Sequence, residues 1–387
     1  MIKKCFIFCG ILVFTLSSWV NAVEVKDLYQ AKVLVTSQSS AERRSALQET
    51  MQTVLVRVGG QKLVLTNNKI KNALKKPRLY VSQYSYSREE TKMLPLDVTA
   101  SSKKLSSLFL IASFDENKIN QLLQQAHLPL WGRLRPKVLF WLVDEANFYR
   151  QILSESSHSN APSIVLSLSE KRGLPVIIPL MDFTDTTQIV IPDLWGRFSA
   201  PIMTASKRYG ADAVVVIRIS NSSLLEEREV KSEGDCRPLC DTLNNTQQFV
   251  LDWTLLGTQV TKFHQKSYQG SDSELLLKAA FSDITDVIFQ GYALSEYAND
   301  ELIIDVTNID SMYAYMALTE FLLNLSTVNS VVLMSAEGTN RRFKLDLLGS
   351  KQTLLLSLKL NKKLERYSDP FAKDITDAVP VFFWGQP

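Results

Sequence analysis

Histidine is scarce in this sequence, and the few that occur are far apart. The 387 residues include three histidines, His127, His158 and His264. Catalytic triads and most zinc centres need histidine side chains to converge with other reactive groups. The sequence therefore predicts no catalytic residues of this kind and no metal site.

Short motifs that bind nucleotides or activate a nucleophile are also missing. The sequence contains no G-x-G-x-x-G, no G-x-x-x-x-G-K-[S/T], no G-x-S-x-G and no H-E-x-x-H. These patterns form the phosphate-binding loops, nucleophile elbows and zinc-binding helices of large enzyme classes. Their absence favours a non-enzymatic protein without a cofactor, and it leaves an enzyme of another kind open.

The sequence has no large excess of charge of one sign. Lysine and arginine number 43 against 40 aspartates and glutamates, which gives a formal net charge of +3. Electrostatic attraction to nucleic acid or anionic lipid needs a larger basic excess, so we expect no nucleic-acid partner. The basic run KIKNALKKPR (69–78) predicts at most peripheral membrane contact, and a solvated helix face explains the same run.

Long apolar runs are confined to the N-terminus. MIKK is followed by CFIFCGILVFTLSSW and then by VNA, the order of charged, apolar and small-residue regions in a secretory signal peptide. We predict a signal peptide over residues 1–22, cleaved between Ala22 and Val23, and a soluble mature protein in the periplasm. An uncleaved membrane anchor is the alternative.

Only two cysteines lie outside this predicted signal. Cys236 and Cys240 occur in GDCRPLC, and a close pair in an oxidising compartment predicts a small disulfide. Unpaired thiols are one alternative, and redox or metal chemistry is another. The spacing C-x-x-x-C differs from the C-x-x-C of thiol oxidoreductases.

Residues 23–127 predict an N-terminal α+β domain with the order β-α-α-β-β-α. Ser39 and Glu42 form a capping-box pattern before a helix, Gly59 stands where a helix-terminating glycine is expected, and Asp115 is positioned to cap the last helix. The stretch LPLWGRLRP (128–136) then carries two prolines and a glycine, which indicate a linker.

Residues 137–295 predict a middle domain that is α/β-like. Apolar strands such as KVLFWLV, LPVIIPL and ADAVVVIRI alternate with helices, a pattern typical of a partly parallel sheet. We expect an exposed loop over 220–246, a hairpin around Gly257, and a helix opened by Ser271 and Glu274 as a second capping box. Arg218 interrupts the third apolar strand. An edge position, a partner carboxylate and a contact surface would each explain it.

Residues 300–365 predict a C-terminal domain with the order β-α-β-β-α, typical of a ferredoxin-like sandwich. Asp310 is expected to cap its first helix. Residues 366–387 are assigned to a tail, whose end could also add a final strand. The predicted fold class is α+β: three small α/β sandwich domains in tandem, the middle one with a mixed sheet.

Two aspartates follow the apolar strand LPVIIPL, in the stretch MDFTDTT. Asp182 and Asp185 would suit an acid–base pair or a cation site, since ligand sites of α/β folds lie beyond strand ends. Helix-capping aspartates in a turn are the simpler explanation. Together with Asp193 they form the candidate ligand-binding residues of the sequence.

Several stretches together carry a resemblance that spans nearly all of the chain after residue 22. ALQETMQTVLVRVGG and YVSQYSYS, then GLPVIIPLMD, DLWG and RYGADAVVVIRI, then LTEFLLNLSTVNSV resemble an uncharacterised proteobacterial envelope family, the domain-of-unknown-function family 2066. That family implies no activity and no catalytic residues.

The middle unit is more distantly similar to a module of other envelope proteins. These are the amino-terminal domain of the Tol-system translocation protein, the curli secretion lipoprotein and the lipoprotein activators of penicillin-binding proteins. The resemblance implies a module that binds proteins. Unlike the lipoprotein members, this sequence lacks a usable lipid-attachment cysteine, so outer-membrane anchoring is not expected.

These observations lead to two hypotheses about function. The first is an exported, non-enzymatic protein that binds other envelope proteins. The alternative is a periplasmic enzyme or small-ligand-binding protein with a site near Asp182, Asp185 and Asp193.

Overall fold

Three β-sheets, each with its own hydrophobic core, form the framework of the protein. The computed structural model describes residues 27–91, 105–222, 224, 248–257, 264–292, 300–325, 327–347, 350–361, 363–367 and 379–385. Helices pack on mixed or antiparallel sheets throughout these ranges, and the predicted α+β class is confirmed.

The N-terminal unit has the predicted order of elements. Its three strands form an antiparallel sheet in the order β1-β3-β2, and the long helix α1 buries its apolar stripe against β1 and β3. Its elements are β1 (Gln30–Val35), α1 (Ser40–Gly59), α2 (Asn68–Leu74), β2 (Val81–Thr91), β3 (Leu105–Phe114) and α3 (Glu116–Gln125).

Two of its predicted helix caps are confirmed, and one helix end is shifted. The side chains of Ser39 and Asp115 accept hydrogen bonds from the first turns of α1 and α3. Gly60, not Gly59, terminates α1, because Gly60 takes the left-handed conformation with φ of 73°. Gly59 is needed for another reason: a Cβ there would lie 2.5 Å from Val64 Cγ2.

The middle unit contains the predicted mixed sheet, with strands in the order β5-β4-β7-β8-β9 and with β6 beside β4. Strand β4 runs parallel to β6 and β7, and the other pairings are antiparallel. Its elements are β4 (Val138–Ala146), β5 (Tyr149–Leu153), α4 (Ala161–Arg172), β6 (Val176–Ile177), α5 (Phe183–Gln188), α6 (Ile191–Trp195), α7 (Ser199–Ser206), β7 (Ala213–Ser220), β8 (Phe249–Leu256), β9 (His264–Gly270) and α8 (Ser273–Tyr292).

Helices cover both faces of this sheet. Helices α4 and α8 bury one face, while α6 and α7 bury the other. The predicted antiparallel pairing of the strands on either side of Gly257, β8 and β9, is confirmed. The predicted cap of α8 was wrong by one residue: Asp272 Oδ1, not Ser271, accepts from the N–H groups of Glu274 and Leu275 at 2.8 and 3.2 Å.

The C-terminal unit is a five-stranded sheet in the order β11-β12-β10-β14-β13. Ser311, rather than the predicted Asp310, caps its first helix, since Ser311 Oγ accepts from the N–H of Ala314 at 3.1 Å. Its elements are β10 (Glu301–Thr307), α9 (Met312–Leu323), β11 (Val328–Glu337), β12 (Asn340–Leu347), α10 (Lys351–Lys359), β13 (Leu364–Arg366) and β14 (Val381–Trp384).

The end of the chain lies inside this sheet. Strand β14 pairs in parallel with β10 and antiparallel with β13, so it separates two strands that would be neighbours in a plain ferredoxin-like sheet. Phe382 and Trp384 alternate into the core and are almost fully buried. Of the two alternatives for the last residues, a final strand is therefore the one observed, and the stretch 366–387 is more than a tail.

The N-terminal and middle units meet where the C-terminal ends of α1 and α4 face each other. Arg135, in the stretch 128–136 that the sequence assigns to a linker, is 1% exposed at this junction. A guanidinium there complements the partial negative charge of both helix ends. Its nitrogens donate to the carbonyl oxygens of Arg57 (2.7 Å), Arg172 (2.8 Å), Trp131 (2.9 Å), Gly132 (2.9 Å) and Gly173 (3.0 Å).

Two further arginines cross the same junction in opposite directions. Arg57 of α1 donates to the carbonyl oxygen of Glu170 at 2.8 Å. Arg172 of α4 donates to the carbonyl oxygen of Gly60 at 2.8 Å and pairs with Asp286 of α8 at 2.5 Å. Each unit thus supplies a cation to the helix end of the other, and the two units share one hydrogen-bonded interface.

Candidate functional site

Asp182 and Asp185, the aspartates singled out in the sequence, lie together at the start of α5. Asp182 caps this helix by accepting from the N–H of Asp185 at 3.0 Å. Arg208 donates to both carboxylates, with two bonds to Asp182 of 2.7 and 2.8 Å and one bond to Asp185 of 2.9 Å. The two acids are therefore brought together by one shared arginine.

Asp185 is the buried member of this cluster. Its second oxygen accepts from the N–H of Met181 at 2.9 Å and from the hydroxyl of Tyr209, and its side chain is fully buried. Arg208 lowers the pKa of Asp182 well below its ordinary value. Burial, and then the bond to Asp185, raise the pKa of Tyr209 to about 12.

The bonds within this cluster have a chemical consequence. Because Asp182 and Asp185 both bond to Arg208, a cation or substrate would have to displace the guanidinium to reach them. Asp193, the third predicted residue, takes no part in these bonds: its Oδ2 accepts from the N–H of Val190 at 3.1 Å at the start of α6. The arrangement suits a structural clamp between α5 and the end of α7 better than it suits acid–base chemistry.

The other predicted site residues fall outside the described ranges. Cys236 and Cys240, the predicted disulfide, lie between residues 224 and 248. Ala22 and Val23, the predicted cleavage site, precede residue 27. All of them remain predictions. The described residues hold no group of three or more histidine, cysteine, aspartate or glutamate side chains able to bind a metal ion.

Arg218 has a partner carboxylate, one of the three explanations open in the sequence. It forms two bonds to Asp252 on the neighbouring strand, of 2.8 and 2.5 Å. Arg197 also pairs with Asp252, at 2.6 Å. The guanidinium groups of Arg218 and Arg150 also lie over the indole ring of Trp195, 5.1 and 4.1 Å from its centroid.

A polar groove of about 460 Å³ lies between β9 and α8. Trp253, Lys266 and Asp283 line it, and Lys266 pairs with Asp283. Burial raises the pKa of Asp286, which also lines the groove and is bonded to Arg172. Because these charges are paired with one another, the groove displays no excess of one sign that would define a ligand.

Within the described ranges, the largest group of exposed apolar side chains on two neighbouring elements belongs to α9 and β11. Helix α9 buries one stripe, centred on Leu318, in the core of the C-terminal unit. On its opposite side, Met312, Tyr313, Met316 and Leu323 are more than half exposed, and the charged residue Glu320 is exposed among them. We call the stripe formed by Met312, Met316 and Leu323 the α9 flank.

Strand β11, at the margin of the sheet, carries further exposed apolar side chains. It pairs with β12 on one side, and on its other side no strand of the described ranges pairs with it. Val332, Leu333 and Met334 are exposed along it. Large exposed apolar patches mark interaction sites, and unprotected strand edges tend to pair with other chains. The α9 flank and the β11 edge are therefore the candidate functional site.

This surface was not predicted, although the sequence contains a signal for it. The stretch MYAYMALTEFLL is apolar at nearly every position, which gives the helix more apolar surface than one buried face requires. Met312, Met316 and Leu323 recur at i, i+4 and i+11, which puts them on one side of a helix. A helix that is apolar all round is normally buried all round.

A family match covers the first part of the chain. Residues 22–132 match a family described as a domain of unknown function (DUF8605). No curated protein matches the sequence. Within the described ranges, no helix is both long enough and apolar enough to cross a bilayer.

Proposed function

We propose that this chain is an exported, non-enzymatic protein that binds other proteins of the cell envelope through the α9 flank and the β11 edge. The single observation that carries the proposal is the exposure of four large apolar side chains on α9, together with three more on β11, a strand that within the described ranges pairs on one side only. In water such a surface is costly and prone to aggregation unless a partner covers it.

Two features of the sequence support the envelope as the place of action. The first 22 residues have the layout of a secretory signal. Stretches such as ALQETMQTVLVRVGG, RYGADAVVVIRI and LTEFLLNLSTVNSV resemble the domain-of-unknown-function family 2066. The middle unit resembles the protein-binding module of the Tol-system, curli and penicillin-binding-protein-activator proteins. The match of residues 22–132 to a domain of unknown function is compatible with this proposal and adds no activity to it.

The rival hypothesis, an enzyme or small-ligand protein with a site near Asp182, Asp185 and Asp193, has less support. Its two adjacent carboxylates are already paired with Arg208, so a ligand would have to compete with this guanidinium. If the fold is intact, replacing Asp182 with Asn should not change the phenotype of cells that depend on this protein. A lost phenotype with an unchanged fold would favour the rival.

Photo-crosslinking in intact cells tests the protein-binding proposal. A photoreactive amino acid is placed singly at Met316 on α9 and at Val332 on β11, with Leu63 as the control. Leu63 is also an exposed apolar residue, but it lies in the N-terminal unit. We expect reproducible crosslinks to the same envelope protein from the first two positions and not from Leu63. No crosslinks, or the same products from all three positions, would refute the proposal.

A further inference from the structure

We infer that the slot between β10 and β13, which β14 fills in this structure, also accepts an extended segment of another protein in place of β14. The slot lies towards one margin of the C-terminal sheet, and β11 lies at the opposite margin. This second binding site is therefore separate from the proposed one and can be tested independently of it. Three features support it: the topology of the sheet, the short pairing of β14, and the chemistry of the slot.

The C-terminal sheet does not need β14 to be complete. The elements from β10 to β13 follow the order β-α-β-β-α-β, and in a plain ferredoxin-like sheet β13 would pair directly with β10. Strand β14 runs parallel to β10 and antiparallel to β13, so β13 runs antiparallel to β10 and can pair with it once β14 is removed. Departure of β14 therefore leaves two strands that can close on each other.

Strand β14 pairs with its neighbours over short stretches only. It has four residues, Val381–Trp384, and it pairs with β10 over the three residues Asp305–Thr307 and with β13 over Leu364–Arg366. The pairing with β10 is parallel, which is slightly less stable per residue than antiparallel pairing. Local opening occurs where few contacts hold an element, so we expect β14 to open before the rest of the sheet.

The connection between β13 and β14 is long. The N–H of Tyr367, directly after β13, donates to the carbonyl oxygen of Val381 at 2.8 Å, and residues 368–380 separate these two partners in the sequence. Loops between paired antiparallel strands usually have about two to five residues. Because the effective concentration of a tethered segment falls as its linker lengthens, this length makes β14 easier to displace.

The fit of β14 in the slot is incomplete. Phe382 and Trp384 are almost fully buried, and the ring of Trp384 contacts Phe321 of α9. The indole N–H of Trp384 is buried as well, yet no described residue accepts its hydrogen bond. An unsatisfied buried donor costs free energy, and a partner residue without such a group would avoid this cost. A segment of another protein can therefore compete with β14 for the slot.

The contacts of β14 define the chemistry of the segment that the slot accepts. Thr307 Oγ1 and Asn308 Nδ2 donate to the carbonyl oxygens of Phe382 and Trp384 at 3.3 and 2.8 Å. Bonds to the main chain hold an extended segment of any sequence, and alternate side chains give specificity. Phe383, between the two core residues, is 46% exposed. The partner segment therefore needs large apolar residues at two alternate positions, and the position between them is free to vary.

A second copy of this chain carries the same β14 sequence, but it is the less favoured occupant. Exchange of β14 between two copies forms the same contacts again and competes with a strand that is already tethered to its own slot. A segment of another protein can differ at the Trp384 position and can add contacts outside the slot. The second copy is therefore an outcome that the test must distinguish.

Binding of a fluorescent peptide to the full chain tests the inference. The probe has the sequence VPVFFWGQP (379–387) with two added lysines for solubility, and the control peptide has serine at the positions of Phe382 and Trp384. Fluorescence anisotropy measures both affinities. We expect weak binding of the probe to the parent, because β14 competes for the slot, and no binding of the control peptide. Equal binding of the probe and the control peptide would overturn the inference.

Two variants of the full chain show whether the probe enters the slot. Phe382→Ser weakens the docking of β14, so the probe should bind about tenfold more tightly than to the parent, since its apparent affinity scales with the fraction of molecules whose slot is open. Phe383→Ser changes the neighbouring exposed side chain and should leave the affinity unchanged. Equal affinities of the two variants, or no binding to Phe382→Ser, would show that the probe does not replace β14.

Hydrogen–deuterium exchange of the parent gives a second measurement that needs no variant. The amides of Tyr367 and Gly385 donate across the pairing of β13 with β14. We expect them to exchange at least about tenfold faster than the amides of β12, because β14 opens without the rest of the sheet. Equal protection would mean that the slot opens only when the whole unit unfolds. That result would overturn the inference even if Phe382→Ser does not fold.

The remaining outcomes separate this site from a second copy and from the proposed function. A dimer of the parent that grows with protein concentration and is absent from Phe382→Ser would identify a second copy as the occupant and would overturn the inference. The crosslinks from Met316 and Val332 do not depend on the slot. If they persist while the probe fails, binding at α9 and β11 stands and strand exchange at the slot is wrong.

Discussion

Arg218 and Asp252 face each other directly across β7 and β8, and their side chains form a two-bond ion pair. The pair lies on the sheet face covered by α6, where both side chains are largely buried. Asp252 is also the partner of Arg197. One carboxylate thus pairs with two guanidinium groups on this face of the middle sheet.

Removing that carboxylate should be costly. Asp252→Asn leaves Arg197 and Arg218 without their anion in a buried setting, where breaking an ion pair typically costs about 3–5 kcal/mol. Urea denaturation measures the loss. Glu301→Gln, which breaks the more exposed pair with Lys344, is the control and should cost no more than about 1 kcal/mol. Equal losses in the free energy of unfolding for the two variants would show that the Asp252 ion pairs stabilise the fold no more than an exposed ion pair does.

Arg135 should be the most sensitive residue of the junction between the N-terminal and middle units. Arg135→Met leaves five carbonyl oxygens without their donor, and each unsatisfied buried group costs about 1–3 kcal/mol. We expect a loss of at least about 3 kcal/mol in the free energy of unfolding and faster proteolysis between the two units. Arg133→Met, which breaks the partly exposed pair with Glu116, is the control and should have little effect.

Asp182 should make stability depend on pH in the acid range. Its pKa is lowered in the folded protein by the bonds from Arg208, whereas in the unfolded chain it returns to about 3.8. The ion pair therefore stabilises the fold fully above about pH 4, and the stabilisation is lost as the pH falls further.

Thermal midpoints of Asp182→Asn and of the parent, measured from pH 2 to pH 6, test this linkage. The variant should be less stable near pH 6, and the difference should shrink towards pH 2. Asp193→Asn, which alters a single backbone hydrogen bond, is the control. A difference between Asp182→Asn and the parent that stays constant over the whole range would contradict the linkage.

Comparison of sequence and structure shows which features were predictable. Element order in the N-terminal unit, the parallel pairing of β4 and β7, and the caps Ser39 and Asp115 follow from local periodicity and capping chemistry. The partner of Arg218 does not, because Asp252 lies 34 residues away and faces it only through the register of β7 and β8.

The candidate site was unpredictable for a related reason. The sequence shows that α9 is apolar at most positions. Which side of α9 remains exposed depends on the stacking of Tyr315 on Phe343 and on the position of β11 at the margin of the sheet. Likewise, the place of β14 between β10 and β13 is a long-range pairing that local patterns do not encode. Local sequence rules also do not decide which of two neighbouring residues ends or caps a helix, as at Gly60 and Asp272.

Gly60 gives a last prediction, because it combines a backbone requirement with a close contact between two units. Its φ is 73°, and a Cβ added there would lie 2.0 Å from Cδ2 of Phe289 on α8. Gly338, in the hairpin between β11 and β12, has a φ of 55° and nothing within 4 Å of its added Cβ. Gly338→Ala therefore reports the left-handed backbone alone, at about 1–2 kcal/mol.

Gly60→Ala should cost more than Gly338→Ala by about 1–3 kcal/mol, the usual penalty of overpacking. Phe289→Leu removes part of the colliding ring, so the cost of Gly60→Ala should fall towards that of Gly338→Ala in a Phe289→Leu background. A double-mutant cycle by urea denaturation measures this coupling. Additive effects of Gly60→Ala and Phe289→Leu would mean that α1 and α8 are not in contact in solution and that the junction between the two units is looser than the structure shows.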